Sequence, residues 1–127
     1  MGRAVHHFDL WVSDAATAGA QWGWLFTGLG WATRIDGCSW AHADGTYVYL
    51  ERSPDQVDEP HDRLRPGINH LAFTVDDRAT LDRIRAGAAA AGWHELFADR
   101  YPLAGGAQHI ALYLESSEGI EVEIVVG

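Results

Sequence analysis

Two histidines stand 63 residues apart in matching settings: His7 opens HFDLWVSD at 7–14 and His70 opens HLAFTVDD at 70–77. The His, the Val and the final Asp are identical between the copies, and Phe8/Leu71 and Leu10/Phe73 stay bulky and apolar. By the period-two rule of a strand, His7, Asp9 and Trp11 share one face while Phe8, Leu10 and Val12 share the other. In the second copy His70, Ala72 and Thr74 oppose Leu71, Phe73 and Val75. Each histidine is thus aimed at the less apolar side of its strand. Two ring nitrogens at one point of a repeat suggest two walls of a site.

The same parity places the acids. In YVYLE at 47–51, Val48 and Leu50 are the face a helix would cover, which turns Tyr47, Tyr49 and Glu51 the other way. In the last strand Ile120, Val122, Ile124 and Val126 form the core face and leave Glu121 and Glu123 opposite them. In HIALYLE at 109–115, His109, Tyr113 and Glu115 share a side. One sheet face is therefore expected to collect His7, Glu51, His70, His109, Tyr113 and Glu123. Imidazole and carboxylate in this proportion are ligands for a divalent transition metal that keeps positions open for substrate.

Composition narrows the chemistry. The 127 residues carry a net charge of −9, a pI near 5.0, nine arginines and no lysine. Schiff-base and lysine-base chemistry are excluded, and the acidic balance argues against nucleic acid or anionic membrane as partner. Cys38 is alone, so no disulfide framework exists within the chain, and a reducing cytoplasm is the expected compartment. The first residues show no apolar h-region and no run of 18 apolar residues occurs, so neither export nor a membrane span is expected.

The elements that must hold these residues follow from capping and turn signals. Ser13 or Asp14 can cap a helix with Ala18, Trp22, Leu25 and Leu29 on one face, ended by Gly30. Strands near 31–36, 38–43 and 45–52 are separated by the turn pairs Asp36-Gly37 and Asp44-Gly45. The order recurs after the second copy. Asp76 or Asp77 caps a helix with Leu81, Ile84, Ala88 and Ala91 on one face, Gly92 stops it, and strands follow near 93–98, 109–115 and 119–126. The chain is expected to be one α+β domain over 1–127, made of βαβββ modules at 1–52 and 67–127. The Pro-containing stretch 53–66 reads as their linker, and 99–106 as a long loop.

The HxxLxVSD opening, the GxNHLAFxVDD segment at 67–77 and the closing EGIEVEIV at 118–125 together resemble the vicinal oxygen chelate superfamily, which includes glyoxalase I, extradiol dioxygenases, fosfomycin-resistance enzymes and bleomycin-binding proteins. The closing segment is similar to that family's D-G-x-x-x-E-L, with Glu118 in place of the Asp and Ile124 in place of the Leu. The resemblance implies tandem βαβββ modules whose strands form a curled mixed sheet around a central cavity, with helices outside. It implies a divalent ion (Zn, Ni, Co, Mn or ferrous iron) held by His7, His70 and Glu123, with Glu51 as a fourth ligand. Counted from the turn glycines, Tyr49 rather than Glu51 is the counterpart of Glu123, so either can face the metal.

Three functions are carried forward. The first is a metal-dependent, glyoxalase-like lyase or isomerase that chelates two neighbouring oxygens of a small substrate and stabilises an enediolate, with Glu51 or Glu123 as base. The second is an extradiol-type Fe(II) dioxygenase, for which His109 and Tyr113 are acid–base candidates; Ser117 stands where that signature has a Pro. The third is a metal-free, bleomycin-resistance-like binding protein with Trp11, Trp40, Tyr47, Tyr49 and Trp93 as an aromatic lining. A small-molecule ligand and a homodimer are expected in each case.

Overall fold

A computed structural model describes residues 2–127 of the chain. Its elements run β1 (His7–Trp11), α1 (Ala15–Gly28), β2 (Ala32–Ile35), β3 (Ser39–Ala41), β4 (Tyr47–Glu51), β5 (His70–Val75), α2 (Arg78–Ala88), β6 (His94–Leu96), β7 (Ala111–Glu115) and β8 (Glu121–Val126). The βαβββ order occurs twice. The contacts divide the chain into two compact units at Glu59/Pro60, so 53–59 go with the first module and 60–69 with the second.

In the first module the sheet order is β1-β4-β3-β2, with β1 and β4 parallel and the remaining pairs antiparallel. Asp14 caps α1: its carboxylate accepts from the Thr17 amide at 3.1 Å and the Thr17 hydroxyl at 2.8 Å. Those bonds hold the Asp14 carboxyl below its ordinary range, the backbone bond contributing most. At the other end Gly30 takes φ 85°, and the Trp31 amide returns to the Phe26 carbonyl at 2.9 Å. The buried helix face is Ala18, Trp22, Leu25 and Phe26, with Leu29 only half-buried. Phe26 stacks on Trp40 of β3 with centroids 5.5 Å apart, and Gly23 leaves the space that the Trp40 ring fills.

The second module repeats this with order β5-β8-β7-β6, β5 and β8 parallel. Asp77 accepts from the Thr80 amide at 2.8 Å, the positions of Asp14 and Thr17 one repeat later. Gly92 takes φ 91°, and the Trp93 amide returns to the Ala88 carbonyl. The core under α2 is Leu81, Ile84, Ala88, Trp93, Leu112, Leu114, Val122 and Ile124. The strands are shorter than the residue pattern suggests. β6 in particular stops at Leu96, because Phe97 turns into the left-handed region (φ 57°) and leads into a single 3-10 turn at Ala98–Arg100.

Candidate active site

The helix-free face of the second module gathers His70 from β5, Tyr113 and Glu115 from β7, and Glu121 and Glu123 from β8. The register makes this unavoidable: His70 lies beside Glu121, Ala72 beside Glu123, and Tyr113 and Glu115 beside Glu123 and Glu121. The side chains of Glu121 and Glu123 are only 4% and 7% exposed, so two carboxylates are withdrawn from water next to each other. That is costly unless every oxygen is satisfied. Among the described residues, no buried side-chain nitrogen or oxygen lacks a partner.

Arg63 and two histidines supply the compensation. Arg63 Nη1 donates to Glu121 Oε1 at 3.1 Å and its Nε to Glu115 Oε2 at 3.0 Å, so one guanidinium clamps both acids. Glu123 is bracketed by imidazoles: His70 Nε2 meets Oε1 at 3.0 Å, and His109 Nε2 meets Oε2 closely. Tyr113 adds its hydroxyl. Its pKa is raised, by partial burial first and then by the charge and hydrogen bond of Glu123, so the phenol keeps its proton at neutral pH.

The orientation of His70 is set from behind. Asn69 Nδ2 donates to the Arg63 carbonyl at 2.9 Å, which turns Asn69 Oδ1 toward His70 Nδ1 at 2.8 Å. An acceptor there requires Nδ1 to carry the hydrogen. A neutral His70 then directs the Nε2 lone pair at a carboxylate oxygen, and two acceptors face each other unless positive charge lies between them. A proton on the ring satisfies this, and so does a metal ion. Fixing the tautomer through the distal nitrogen is how proteins prepare an imidazole for ligation. The donor chemistry therefore fits a divalent cation. Yet His70 and His109 sit on different oxygens of Glu123, and among the described residues no three His, Cys, Asp or Glu side chains form a ready-made cage.

The loop before β7 completes this face. A Cβ added to Gly105 would lie 2.5 Å from both the His109 ring and the Tyr113 hydroxyl, so the loop can close down there only without a side chain. Phe97 packs edge-on against Tyr113 at 5.5 Å. Farther out, the Tyr101 hydroxyl donates to Asp82 on α2 at 2.6 Å, Arg85 lies over the Tyr101 ring, and Arg85 pairs with Glu95 at 2.9 Å. These contacts pin the loop to its own module.

In the first module the register is His7 beside Tyr47, Asp9 beside Tyr49 and Trp11 beside Glu51. Glu123 lies beside the residue two past His70; two past His7 the neighbour is Tyr49. Tyr49 is thus the positional counterpart of Glu123, and Glu51 that of Val125. Glu51 shares a face with His7 but lies four residues along the pair, about 13 Å at the usual rise of a strand. His7 stacks on Tyr47, centroids 4.9 Å apart and planes 7° from parallel, with His6 edge-on to both rings. His6 Nδ1 and His7 Nδ1 are 2.9 Å apart and share a hydrogen. Trp11 is 47% exposed on the helix-free face. Trp40 and Trp93 lie on the covered side, buried in their cores.

Arg63, Asn69 and Gly105 carry no assignment from the residue pattern. One signal could have exposed Arg63: parity puts two glutamates side by side on β8, and in a chain without lysine only an arginine can neutralise such a pair permanently.

Comparison with known proteins fits this arrangement. A family model described as the glyoxalase/bleomycin resistance protein/dioxygenase superfamily matches residues 6–113. The uncharacterized protein YqjT of Bacillus subtilis is 34% identical over 125 residues, covering 95% of this chain and 97% of its own. The crystal structure of a candidate glyoxalase from Bacillus halodurans superposes with a TM-score of 0.88 at 30% identity, covering 98% of this chain and 96% of that one. The fosfomycin resistance protein FosX of Mesorhizobium loti, at 16% identity and a TM-score of 0.57 over 99% and 92% of the chains, shares the fold.

Proposed function

The chain belongs to the glyoxalase/bleomycin resistance protein/dioxygenase superfamily, and from that premise we propose that it is a metal-dependent, glyoxalase-like lyase or isomerase acting on a small substrate with two neighbouring oxygens. One observation carries the reading: Asn69 fixes the His70 tautomer so that Nε2 faces Glu123 Oε1, a pair that calls for a cation. His70 and Glu123 would be the ligands of the second module, and His7 is the ligand the repeat supplies from the first. When bound, the divalent ion would act as a Lewis acid toward the paired substrate oxygens. Glu123 is the base, taking a proton from the carbon next to the carbonyl. His109, half-exposed against Oε2, exchanges that proton with the substrate or with water. Tyr113, kept as a neutral phenol, donates a hydrogen bond to Glu123 and holds the carboxylate in place.

The test is direct. Protein freed of metal by chelator is titrated with zinc, nickel, cobalt, manganese and ferrous ions while the thermal midpoint is followed. An ion held at 100 times its Kd should add about 2.7 kcal/mol of stability. His70→Ala should abolish that gain and leave the circular dichroism unchanged, since Leu71 and Phe73 anchor β5. If none of the ions raises the midpoint, the metal reading fails, and a binding protein lined by Trp11, Tyr47 and Tyr49 takes its place.

The extradiol reading is favoured by one specific contact, His109 and Tyr113 both bearing on Glu123. Two imidazoles and a carboxylate suit ferrous iron. Iron in the purified protein together with ring opening of a catechol would establish it over the isomerase.

A further inference from the structure

The site face of the first module holds a cation that nothing in the proposed reaction uses. Arg34 lies on the edge strand β2 at a β-bulge: Thr33 pairs with Trp40 and Ile35 with Ser39, so one extra residue intervenes. A bulge re-aims the side chain it carries. The Arg34 side chain runs inward across β3, and its Nη1 donates to Ser39 Oγ at 2.7 Å. Ser39 is fully buried and passes its own hydrogen to the Val48 carbonyl at 2.7 Å, so its oxygen is free to accept from Arg34. The guanidinium carbon then rests 3.9 Å above the Tyr47 ring, the same ring on which His7 stacks nearly parallel.

Arg34, Tyr47 and His7 therefore form three layers, the exposed Arg34 side chain being held by its bond to Ser39 and its contact with the Tyr47 ring. Among the described residues, one of its five N–H donors is committed. Among the described residues no carboxylate pairs with it, although the chain has 18 acidic residues against nine arginines. Arg63, Arg65, Arg78 and Arg85 take a carboxylate partner, whereas among the described residues Arg3, Arg52, Arg83 and Arg100 share with Arg34 the lack of one; Arg34 is set apart by its bond to a buried hydroxyl and its place over Tyr47. A guanidinium placed over an aromatic ring with donors left open suits an anion from outside. Its planar fork suits a carboxylate, which it can hold through two parallel hydrogen bonds.

We propose that Arg34 is the carboxylate-binding residue of this protein and that its substrate is a small carboxylic acid whose acid group docks on Arg34, one aromatic ring's thickness from His7. The placement of the substrate's other end rests on the proposed function; the carboxylate subsite does not. Tyr47 is the platform: its ring lies under the Arg34 guanidinium and against His7, so the acid group is bound apart from His7.

Benzoate serves as probe and benzamide, its neutral counterpart of the same shape, as control. Both are titrated into chelator-treated and zinc-loaded protein while the arginine Nε–H resonances are followed by nuclear magnetic resonance. Benzoate should shift the Arg34 signal in both forms of the protein, and benzamide should not. Arg34→Gln should weaken benzoate on the order of 10- to 100-fold, as loss of a charge-assisted pair does, and Arg34→Lys should recover part of it. Equal response to benzamide, unchanged benzoate affinity in Arg34→Gln, or no benzoate binding at millimolar concentration would each overturn the proposal. The two readings fail separately. Benzoate binding that needs Arg34 but survives in protein unable to take up metal keeps the subsite and removes the metal. Benzoate binding that needs zinc and ignores Arg34→Gln does the reverse.

Discussion

Replacing Arg63 by methionine keeps the apolar stem and deletes the charge that clamps Glu115 and Glu121. The guanidinium is 25% exposed, Glu115 28% and Glu121 4%, so the two arms are unequal. The Glu115 arm is close to a surface pair, contributing roughly 0.5 kcal/mol. The Glu121 arm is different. Its carboxylate would be left with His70 Nδ1 at 3.8 Å, beyond hydrogen-bond reach, and breaking a buried pair from one side costs about 3–5 kcal/mol. Because Arg63 keeps a quarter of its surface in water, the lower end applies, and the total expected is about 3 kcal/mol. For a chain of this size that lowers the melting temperature by roughly 10 °C.

The size of the loss alone does not identify its cause, so Glu121→Gln is added. If the cost is the orphaned charge, the double variant recovers most of it. Arg63→Met/Glu121→Gln should sit within about 1 kcal/mol of wild type, a coupling of about 2 kcal/mol in a double-mutant cycle. Urea unfolding followed by circular dichroism and tryptophan fluorescence gives the four stabilities. An Arg63→Met loss below about 0.5 kcal/mol would refute the clamp. So would a double variant as unstable as the sum of the two singles.

Gly105→Ala should cost only about 1 kcal/mol, because the atoms its Cβ meets are the ends of the His109 and Tyr113 side chains; unchanged His109 ring resonances in that variant would show that the loop does not hold the ring. Tyr101 has its pKa raised from 10.0 to about 12, by burial first and then by its bond to Asp82, so its contribution is present below pH 10 and lost as pH rises through about 12. Wild type should therefore lose stability relative to Tyr101→Phe over that interval in urea titrations at stepped pH, and parallel curves would contradict it. A homodimer is expected, with light scattering at micromolar concentration giving twice the 13.9 kDa chain mass. If the site is built across subunits, mixing separately inactive His7→Ala and His70→Ala chains should restore activity, and a monomer mass would end that reading.

The fold was legible because its signals are local and doubled. Residue types narrow the helix starts to Ser13 or Asp14 and to Asp76 or Asp77, of which Asp14 and Asp77 are the caps, and Gly30 and Gly92 mark the ends. Period two likewise assigned the faces of β1, β4, β5, β7 and β8. Arg63 was not legible, because a loop residue's partners are fixed by tertiary packing and no periodicity points to them. Asn69 sat within the quoted motif, yet its role depends on a hydrogen bond to the Arg63 carbonyl that sequence does not encode. Trp40 shows the limit of aromatic counting, since the pairing of Trp40 with Val48 assigns it to the covered face and Gly23 makes room for it.

The register also shows that the repeat conserves geometry and not chemistry. Beside the two histidines the first module sets Tyr47 and the second Glu121; two residues on, the pairs are Asp9 with Tyr49 and Ala72 with Glu123. The acid and its neighbour have changed strands. The acids on β8 are buried and partnered, Glu121 by Arg63 and Glu123 by two imidazoles, whereas Asp9 on β1 stays exposed. Where the second module has its buried acids the first has tyrosines, and Tyr47 is what Arg34 and His7 stack upon. One backbone template thus carries buried carboxylates on one module and a cation over an aromatic ring on the other.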